Sequence, residues 1–236
     1  MGRVFEKRKH KMFARYAKMS RAFTKFGKEI HIAVKAGGTD PESNSRLRAI
    51  IANAKAANMP KANIDAAINR ANNKDEKDFE EIAYEGKGPH GVAMIIETAT
   101  DNPTRTIANL RSHFNKTGGQ MMVSGSLDFL FERKGIFRIP TTGINPEEFE
   151  LEMIDFGMEE MEDDGEGFYM ISVPFTEFGA MQKALEERKI EITNAELQRI
   201  PTTSVELNEE QEAEFNKLMD RLDEDDDVTN VWHNLK

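Results

Sequence analysis

The feature that most constrains the fold is a long apolar stripe near the start of the chain. Its side chains recur at steps of three and four residues: Met12, Tyr16, Met19, Phe23, Phe26, Ile30 and Val34. Because an α-helix turns by about 100° per residue, these positions lie within roughly 40° of one line. The pattern predicts one long helix that buries a narrow face and ends at Gly37-Gly38.

The opposite face of this predicted helix is basic. Its side chains fall within an arc of about 100°, and they are Lys7, Lys11, Lys18, Arg21, Lys25 and Lys28. A second helix is predicted from about Pro41, capped by Asp40, and a third helix follows the turn at residues 58–60. Residues 1–74 are therefore predicted to form a small, basic helical domain.

Formal charge divides sharply along the chain. Residues 1–74 contain 17 Lys and Arg against 5 Asp and Glu, a net charge of +12. The other 162 residues contain 15 Lys and Arg against 37 Asp and Glu, a net charge of −22. A basic module attracts polyanions, whereas an acidic body repels them. The division predicts a nucleic-acid partner for residues 1–74.

The composition excludes several classes of protein. With no cysteine, the chain forms no disulfide, zinc ribbon, iron–sulfur cluster or thiol nucleophile. It has no run of 18 apolar residues to span a membrane, and its basic start lacks the apolar segment of a secretory signal. The five His residues show no metal-ligand spacing, and no nucleophile motif is present. We expect a cytoplasmic, non-enzymatic protein with no cofactor, metal or membrane partner.

After a linker at residues 72–75, strands and helices alternate. A strand is predicted over residues 92–99, then a helix from Pro103 to about Thr117 capped by Asp101 and Thr104, then two short strands around Ser124-Gly125. A helix with Phe215, Leu218 and Leu222 and a strand over residues 228–233 come last. Together these elements would make one β-α-β-β-α-β unit, interrupted in its middle.

The interruption forms a complete unit by itself. Its elements are a strand at 136–139, a helix at 146–156, strands at 158–163 and 168–173, a helix at 175–188 and a strand at 195–200. This succession is typical of a split βαβ, ferredoxin-like fold. The sequence thus predicts an α+β protein in which a helical N-terminal domain precedes two α/β domains. The predicted domains are 1–74, the discontinuous 76–134 plus 203–236, and the inserted acidic 135–202.

Several segments of the chain resemble the YebC/PmpR family, which includes transcriptional regulators and mitochondrial translational activators. They are KHK at 9–11, FTKFGKEI at 23–30, RLRAIIANAKAANMPK at 46–61, YEGKGPHGVAMIIE at 84–97, TDNPTRT at 100–106 and DDDVTNVWHN at 225–234. The resemblance implies a helical domain followed by two α/β domains. The chain departs from the family at residues 2–6, where members carry a GHSKW-like segment, and at residues 86–91, where they often show GYGPGG.

The predicted nucleic-acid site is a set of bases on the helical domain. The set is Lys7, Arg8, Lys9, Lys11, Arg15, Lys18, Arg21, Lys25, Lys28, Arg46, Arg48 and Lys61. Such side chains neutralise phosphates and release counterions, which gives affinity without reading the base sequence. The alternative is a solvated helix face, but few acidic residues are interspersed to balance these bases.

Smaller features allow two interpretations each. The second and third helices resemble a helix-turn-helix, in which Lys61, Asn63 and Asn69 would meet base edges, or they are an ordinary helix pair. The acidic runs at 147–167 and 223–227 are either solvated surface or functional segments. As functional segments they would repel nucleic acid from the acidic body, or would mimic it and hold the basic domain when no nucleic acid is bound. The loop at 86–91 is a turn rather than a phosphate cradle.

Arg105 lies in the first turn of its predicted helix, where the helix dipole disfavours a cation. Its position predicts an anionic partner.

The leading hypothesis is a non-enzymatic, DNA-binding transcriptional regulator. The alternative is an RNA- or ribosome-associated translation factor, because phosphates look alike on both polymers. An enzyme acting at the 86–91 loop lacks a catalytic constellation. A membrane-surface protein would need an exposed apolar stripe, which we expect to be buried. The oligomeric state is left open by the sequence.

Overall fold

A computed structural model of the chain describes residues 3–73 and 78–236, with side-chain environments from Met19 onward. Residues 74 and 75 of the predicted linker, and Gly2 of the departing segment, lie outside this part. The first elements are the helices α1 (Arg3–Gly37), α2 (Ser45–Ala56) and α3 (Lys61–Ala71). From Phe23 to Val34 the predicted stripe of α1 faces their shared core, where Ile30 and Val34 are buried and Phe23 and Phe26 are partly buried.

The start of α2 differs from the prediction. Asp40 does not cap this helix, because its carboxylate accepts from the Glu42 amide, at 3.1 Å, in the preceding turn. Asn44 caps it instead and accepts from the Leu47 amide at 3.0 Å. The Asn44 side chain also donates to the carbonyls of Ala33 and Gly38 at 2.8 and 2.9 Å. One amide therefore joins the end of α1 to the start of α2.

The first sheet is built from two separate parts of the chain. The first part gives the elements β1 (Glu80–Lys87), β2 (Ala93–Thr100), α4 (Pro103–Lys116) and β3 (Gln120–Met121), and the last part gives α7 (Glu209–Asp223) and β8 (Val228–His233). The strands pair antiparallel in the order β3-β1-β2-β8. Helices α4 and α7 cover one face of this sheet, where Phe114, Phe215 and Leu218 are buried against Met94 and Ile96.

The second sheet is formed by the chain between those parts. Its elements are β4 (Phe131–Pro140), α5 (Pro146–Ile154), β5 (Glu160–Asp163), β6 (Phe168–Pro174), α6 (Phe178–Glu187) and β7 (Asn194–Pro201). The strands lie in the order β5-β6-β4-β7, with each neighbouring pair antiparallel. This is the predicted β-α-β-β-α-β unit. Its core joins Phe137 and Ile171 of the sheet to Met153 of α5 and Leu185 of α6.

The first sheet does not have the predicted chain order. Strand β1 was not predicted. Of the two short strands predicted around Ser124-Gly125, one forms as β3, which ends at Met121, and a loop takes the place of the other. The buried carboxylate of Glu85 accepts from the amides of Gly125 and Leu127, so these amides have no strand partner. In the second sheet α5 connects β4 to β5, and β6, the third strand of that sheet along the chain, lies between them. In the first sheet α4 connects β2 to β3, and the strand between them is β1, the first strand of that sheet along the chain. The two sheets are therefore circular permutations of one arrangement.

The fold class is confirmed, since helices precede two antiparallel sheets in an α+β protein. The chain leaves the first sheet after β3 and returns to it with α7. The division into domains at 1–74, 76–134 plus 203–236, and 135–202 stays a prediction. It concerns independent folding, which the arrangement of the strands does not test.

Polar contacts from α2 fix the helical part on both sheets. The Arg46 guanidinium binds the carboxylate of Glu81 on β1, and Arg48 Nε donates to Glu186 of α6 at 2.5 Å. The Asn53 side chain donates to the Ala195 carbonyl at 2.8 Å and accepts from the Ala195 amide at 3.0 Å. Ala49 of α2 is buried in the core of the second sheet.

The carboxylate of Asp227, before β8, connects α1 to the first sheet. It is only 4 % exposed. Lys28 Nζ donates to Oδ1 at 2.9 Å, while Arg105 and Thr106 donate to Oδ2 at 2.7 and 2.9 Å. Burial alone would raise the pKa of Asp227, because it favours the neutral acid. The hydrogen bonds from Arg105, Lys28 and Thr106 outweigh burial and hold the pKa below its usual value. Asp227 is therefore an ionised, buried acceptor.

Asp227 also confirms the prediction of an anionic partner for Arg105. This guanidinium binds both Asp227 and, at 2.9 Å, Asp101. The predicted cap of α4 is wrong, because Asn102 accepts from the Arg105 amide at 3.1 Å and so caps the helix in place of Asp101 and Thr104. Asp101 is thereby left to pair with the arginine side chain.

Glu29 of α1 lies among other carboxylates where the helices meet the sheets. Its pKa is raised to about 7, chiefly by burial; the charge of Arg46 lowers it, and the charges of Glu81, Glu196 and Glu97 raise it. A carboxyl group with a raised pKa holds its proton more tightly in the folded state than in the unfolded state. Its contribution to stability is therefore lost as the pH rises towards 7.

We expect Asp227→Asn to lower the free energy of unfolding by about 1–3 kcal/mol at pH 7, because hydrogen bonds to a charged group are weakened. Urea denaturation measures this. Since the pKa of Asp227 is lowered on folding, its contribution is present above about pH 4, the usual carboxyl value, and is lost as the pH falls below it. Asp226→Asn, at an exposed neighbour, is the control. Equal losses for the two variants would contradict the role of Asp227.

We expect Glu29→Gln to raise the free energy of unfolding at pH 8 by roughly 1–3 kcal/mol, because the amide resembles the neutral acid. The wild-type protein should lose stability as the pH rises from 5 to 7, and the variant should not. Thermal unfolding at both ends of this range tests the difference. Glu42→Gln, at an exposed position of the same helical part, should leave the wild-type pH profile unchanged.

Candidate nucleic-acid interface

The long helix α1 carries most of the predicted site. It is continuous over Arg3–Gly37, 35 residues, which corresponds to about 50 Å. Because the helix is unbroken, the bases at helical spacing from Lys7 to Lys28 follow one face of it for about 30 Å. For the predicted residues Lys7, Arg8, Lys9, Lys11, Arg15 and Lys18 the structure describes the helical backbone and not the side-chain environment.

The described end of this face meets the acidic run at 223–227. Arg21 and Lys25 both approach the carboxylate of Asp223, the last residue of α7, at 3.5 and 3.4 Å. Lys28 donates to the carbonyls of Ala99 and Asp226 at 3.0 and 2.7 Å in addition to Asp227. All three N–H donors of Lys28 therefore have acceptors within the molecule. The acidic run was interpreted either as solvated surface or as a segment that holds the basic domain. The second interpretation requires contacts of this kind.

The other acidic run, at 147–167, behaves differently. Its carboxylates pair with bases of the second sheet and its helices: Arg138 with Asp164 at 2.6 Å, Lys134 with Glu159 at 3.1 Å and Arg188 with Glu152 at 3.2 Å. Over residues 19–73 and 78–236 no ion pair joins this run to α1. Of the two acidic runs, only that at 223–227 contacts the basic face within the described side chains.

The predicted bases outside α1 have separate positions. Arg46 and Arg48 pair with carboxylates of β1 and α6, as described above, and so contribute to docking of the helices. Lys61, the first residue of α3, is exposed and forms no ion pair within the described ranges. Only Lys61 of these three bases is free for a ligand in this arrangement.

The helix pair α2–α3 presents the polar face that a helix-turn-helix requires. Lys61, Asn63 and Asn69 are all exposed on α3. The turn is closed by a hydrogen bond from the Met59 amide to the Ala54 carbonyl at 2.8 Å, and Asn58 takes a positive φ of 62°. The apolar face of α3 packs chiefly on α1. An ordinary helix pair has the same geometry, so both interpretations remain open.

The loop at 86–91 is a structural turn, as predicted. It joins β1 to β2 and is closed by the Gly88 amide, which donates to the Val92 carbonyl at 2.8 Å. A Cβ at Gly86 would lie 2.5 Å from the Phe114 ring, so a side chain there would clash with the core. The His90 ring pairs with Glu214 of α7 at 2.8 Å.

Two kinds of site are not found in the described residues. They contain no group of three or more His, Asp or Glu side chains suited to a metal ion. None of their helices has the length and apolarity needed to cross a membrane.

Several predicted binding residues, among them Lys28, Arg46 and Arg48, instead hold the molecule together. Arg105 lies in the segment TDNPTRT and Asp227 in DDDVTNVWHN, two of the segments that carry the family resemblance. The structure brings both segments to Lys28, which lies in a third, FTKFGKEI. All three segments carry the family resemblance, and this was the one indication in the sequence that they contact each other.

Comparison with known proteins gives one consistent assignment. The family model described as "TACO1/YebC protein N-terminal domain" matches residues 3–74, and that described as "TACO1/YebC second and third domain" matches residues 79–235. Relatives from Flavobacterium psychrophilum and Wolinella succinogenes are 51% and 52% identical, over 100% of this chain and 100% of theirs. Each is named a probable transcriptional regulatory protein.

A solved structure agrees with this assignment. The crystal structure of a conserved hypothetical protein from Aquifex aeolicus matches with a TM-score of 0.78 and 36% identity, covering 93% of this chain and 91% of that one. The family models together account for nearly all of the chain, and the relatives for its full length. The chain therefore belongs to the TACO1/YebC family.

Proposed function

We propose that the protein is a non-enzymatic regulator that binds nucleic acid through the basic face of α1, and that it is a DNA-binding transcriptional regulator. The observation that carries the proposal is the concentration of basic residues on one unbroken helix, in a chain whose residues 75–236 carry a net charge of −22. A helix face with a base every three or four residues can follow a polyphosphate backbone without reading its sequence. The relatives named as probable transcriptional regulatory proteins support the regulatory role.

Structure and charge divide the predicted site into two parts. Arg21, Lys25 and Lys28 contact the acidic run at 223–227, and Arg46 and Arg48 are used in docking. The bases of the part of α1 from Lys7 to Lys18 lie closer to the helix N-terminus. We propose that this part of α1 is the first to contact the phosphates of a nucleic acid, and that Lys61 provides an additional contact.

The second candidate is an RNA- or ribosome-associated translation factor. The family resemblance includes translational activators, and backbone phosphates attract the same bases in both polymers. Sequence-specific recognition of single-stranded RNA uses exposed aromatic side chains for stacking. On the described part of α1, Phe23 and Phe26 pack against the helical core instead. This favours recognition of a duplex backbone, and DNA is the first choice.

We expect charge reversal of Lys7, Lys11 and Lys18 to Glu to weaken binding to duplex DNA and to flatten its salt dependence. Each lost phosphate contact lowers the log–log salt slope by about 0.9. Fluorescence anisotropy over a range of salt concentrations measures the slope. Reversal of the exposed Lys55, Lys116 and Lys217 changes the net charge equally and is the matched control. A slope that falls no further than in the control would contradict the assignment to α1.

We expect the protein to bind a DNA duplex more tightly than an RNA duplex of the same length and sequence at the same ionic strength. Competition of each unlabelled duplex against labelled DNA measures the preference. Preference for RNA would select the translation-factor alternative, and absence of binding to either polymer would contradict the proposed function.

A further inference from the structure

We propose that Asp223 occupies part of the nucleic-acid site in the free protein, and that a phosphate group displaces it from Arg21 and Lys25 on binding. This inference rests on the proposed function and adds a regulation of the same face. Asp223 lies between the two bases, with Oδ2 3.5 Å from Arg21 and Oδ1 3.4 Å from Lys25. A phosphate group also presents several oxygens and negative charge, and so can take both places.

The contact between α1 and the acidic run has a permanent part. The Lys28 side chain is 12% exposed, and its ammonium group has three acceptors, two of them backbone carbonyls. Withdrawing it would leave the buried Asp227 carboxylate with one charged partner fewer, which is costly in a buried site. Lys28 therefore stays in place and keeps the basic face beside the acidic run.

The Asp223 contact is the releasable part. The Asp223 side chain is 53% exposed, so water and salt screen its two ion pairs. Only one terminal nitrogen of Arg21 faces Asp223, and Arg21 Nε has no hydrogen-bond partner in the described residues. An arginine binds a carboxylate strongly when two of its N–H groups engage it together. This pairing is incomplete and can be exchanged for a better one.

The position of Asp223 on its own helix agrees with this role. It is the last residue of α7, where the helix dipole places a partial negative charge. A carboxylate at this end is unfavourable for the isolated helix and gains from nearby bases. The negative potential of the helix end and the charge of Asp223 thus act together on the basic face of α1.

The first test compares Asp223→Asn with Glu224→Gln in the full chain. Both variants remove one negative charge from neighbouring exposed residues, but Glu224 forms no ion pair within the described ranges. We expect Asp223→Asn to bind a labelled DNA duplex about two- to fivefold more tightly than wild type at about 0.15 M salt, the range expected for released surface ion pairs. Glu224→Gln should stay closer to wild type.

The second test needs no variant and follows amide hydrogen exchange of the wild-type protein with and without saturating duplex. We expect faster exchange at the end of α7, around Asp223, when DNA is bound. The Ala99 amide, which donates to the Asp227 carbonyl at 2.8 Å, should keep its protection because the Lys28 contact remains.

The outcomes separate the two proposals. Equal affinities for the two variants, or unchanged exchange at the end of α7 in saturated protein, would overturn the displacement of Asp223 while nucleic-acid binding stands. If neither wild type nor variants bind DNA or RNA, the proposed function fails and the displacement fails with it.

Discussion

The position of the basic helix depends on one buried carboxylate. Asp227 accepts hydrogen bonds from Lys28 of α1 and from Arg105 and Thr106 of α4, so it joins the helical part to the first sheet. A buried carboxylate is stable only when it is paired and hydrogen-bonded. Removing any one donor therefore weakens the site at which α1 is attached to the first sheet.

This anchoring changes the meaning of the basic face. A helix with bases at regular spacing appears uniform in the sequence, but its bases have different tasks in the structure. Lys28 is saturated by internal acceptors, whereas Arg21 and Lys25 share one exposed carboxylate. Along the described part of this face, the contacts with the acidic run therefore become weaker from Lys28 towards Lys25 and Arg21.

Periodicity in the sequence was sufficient wherever one face of an element is apolar. The stripe on α1 and the complete unit of the second sheet were predicted for this reason. Strand β1 was missed because it begins with exposed Glu80 and Glu81 and is buried only near its end. Only one of the two strands expected around Ser124-Gly125 forms, because the carboxylate of Glu85, about forty positions earlier, binds the amides of the loop that follows β3.

The candidate site shows the same limit. Composition indicated a basic face, but not which bases would be neutralised within the chain, because their partners are far away in sequence. Lys28 and Asp227 are separated by 199 positions, and Arg48 and Glu186 by 138. Such pairs depend on how the helices dock on both sheets. The spacing of residues within one segment does not predict how the helices dock, and so it does not predict these ion pairs.

The central claim, that α1 is the surface that meets nucleic acid, is tested most directly by ultraviolet cross-linking in cells followed by mass spectrometry of the cross-linked peptides. The same sample, sequenced for DNA and RNA, identifies the polymer. We expect cross-links within residues 3–28, and a predominance of DNA if the protein is a transcriptional regulator. Cross-links confined to residues 78–236, or none to either polymer, would contradict it.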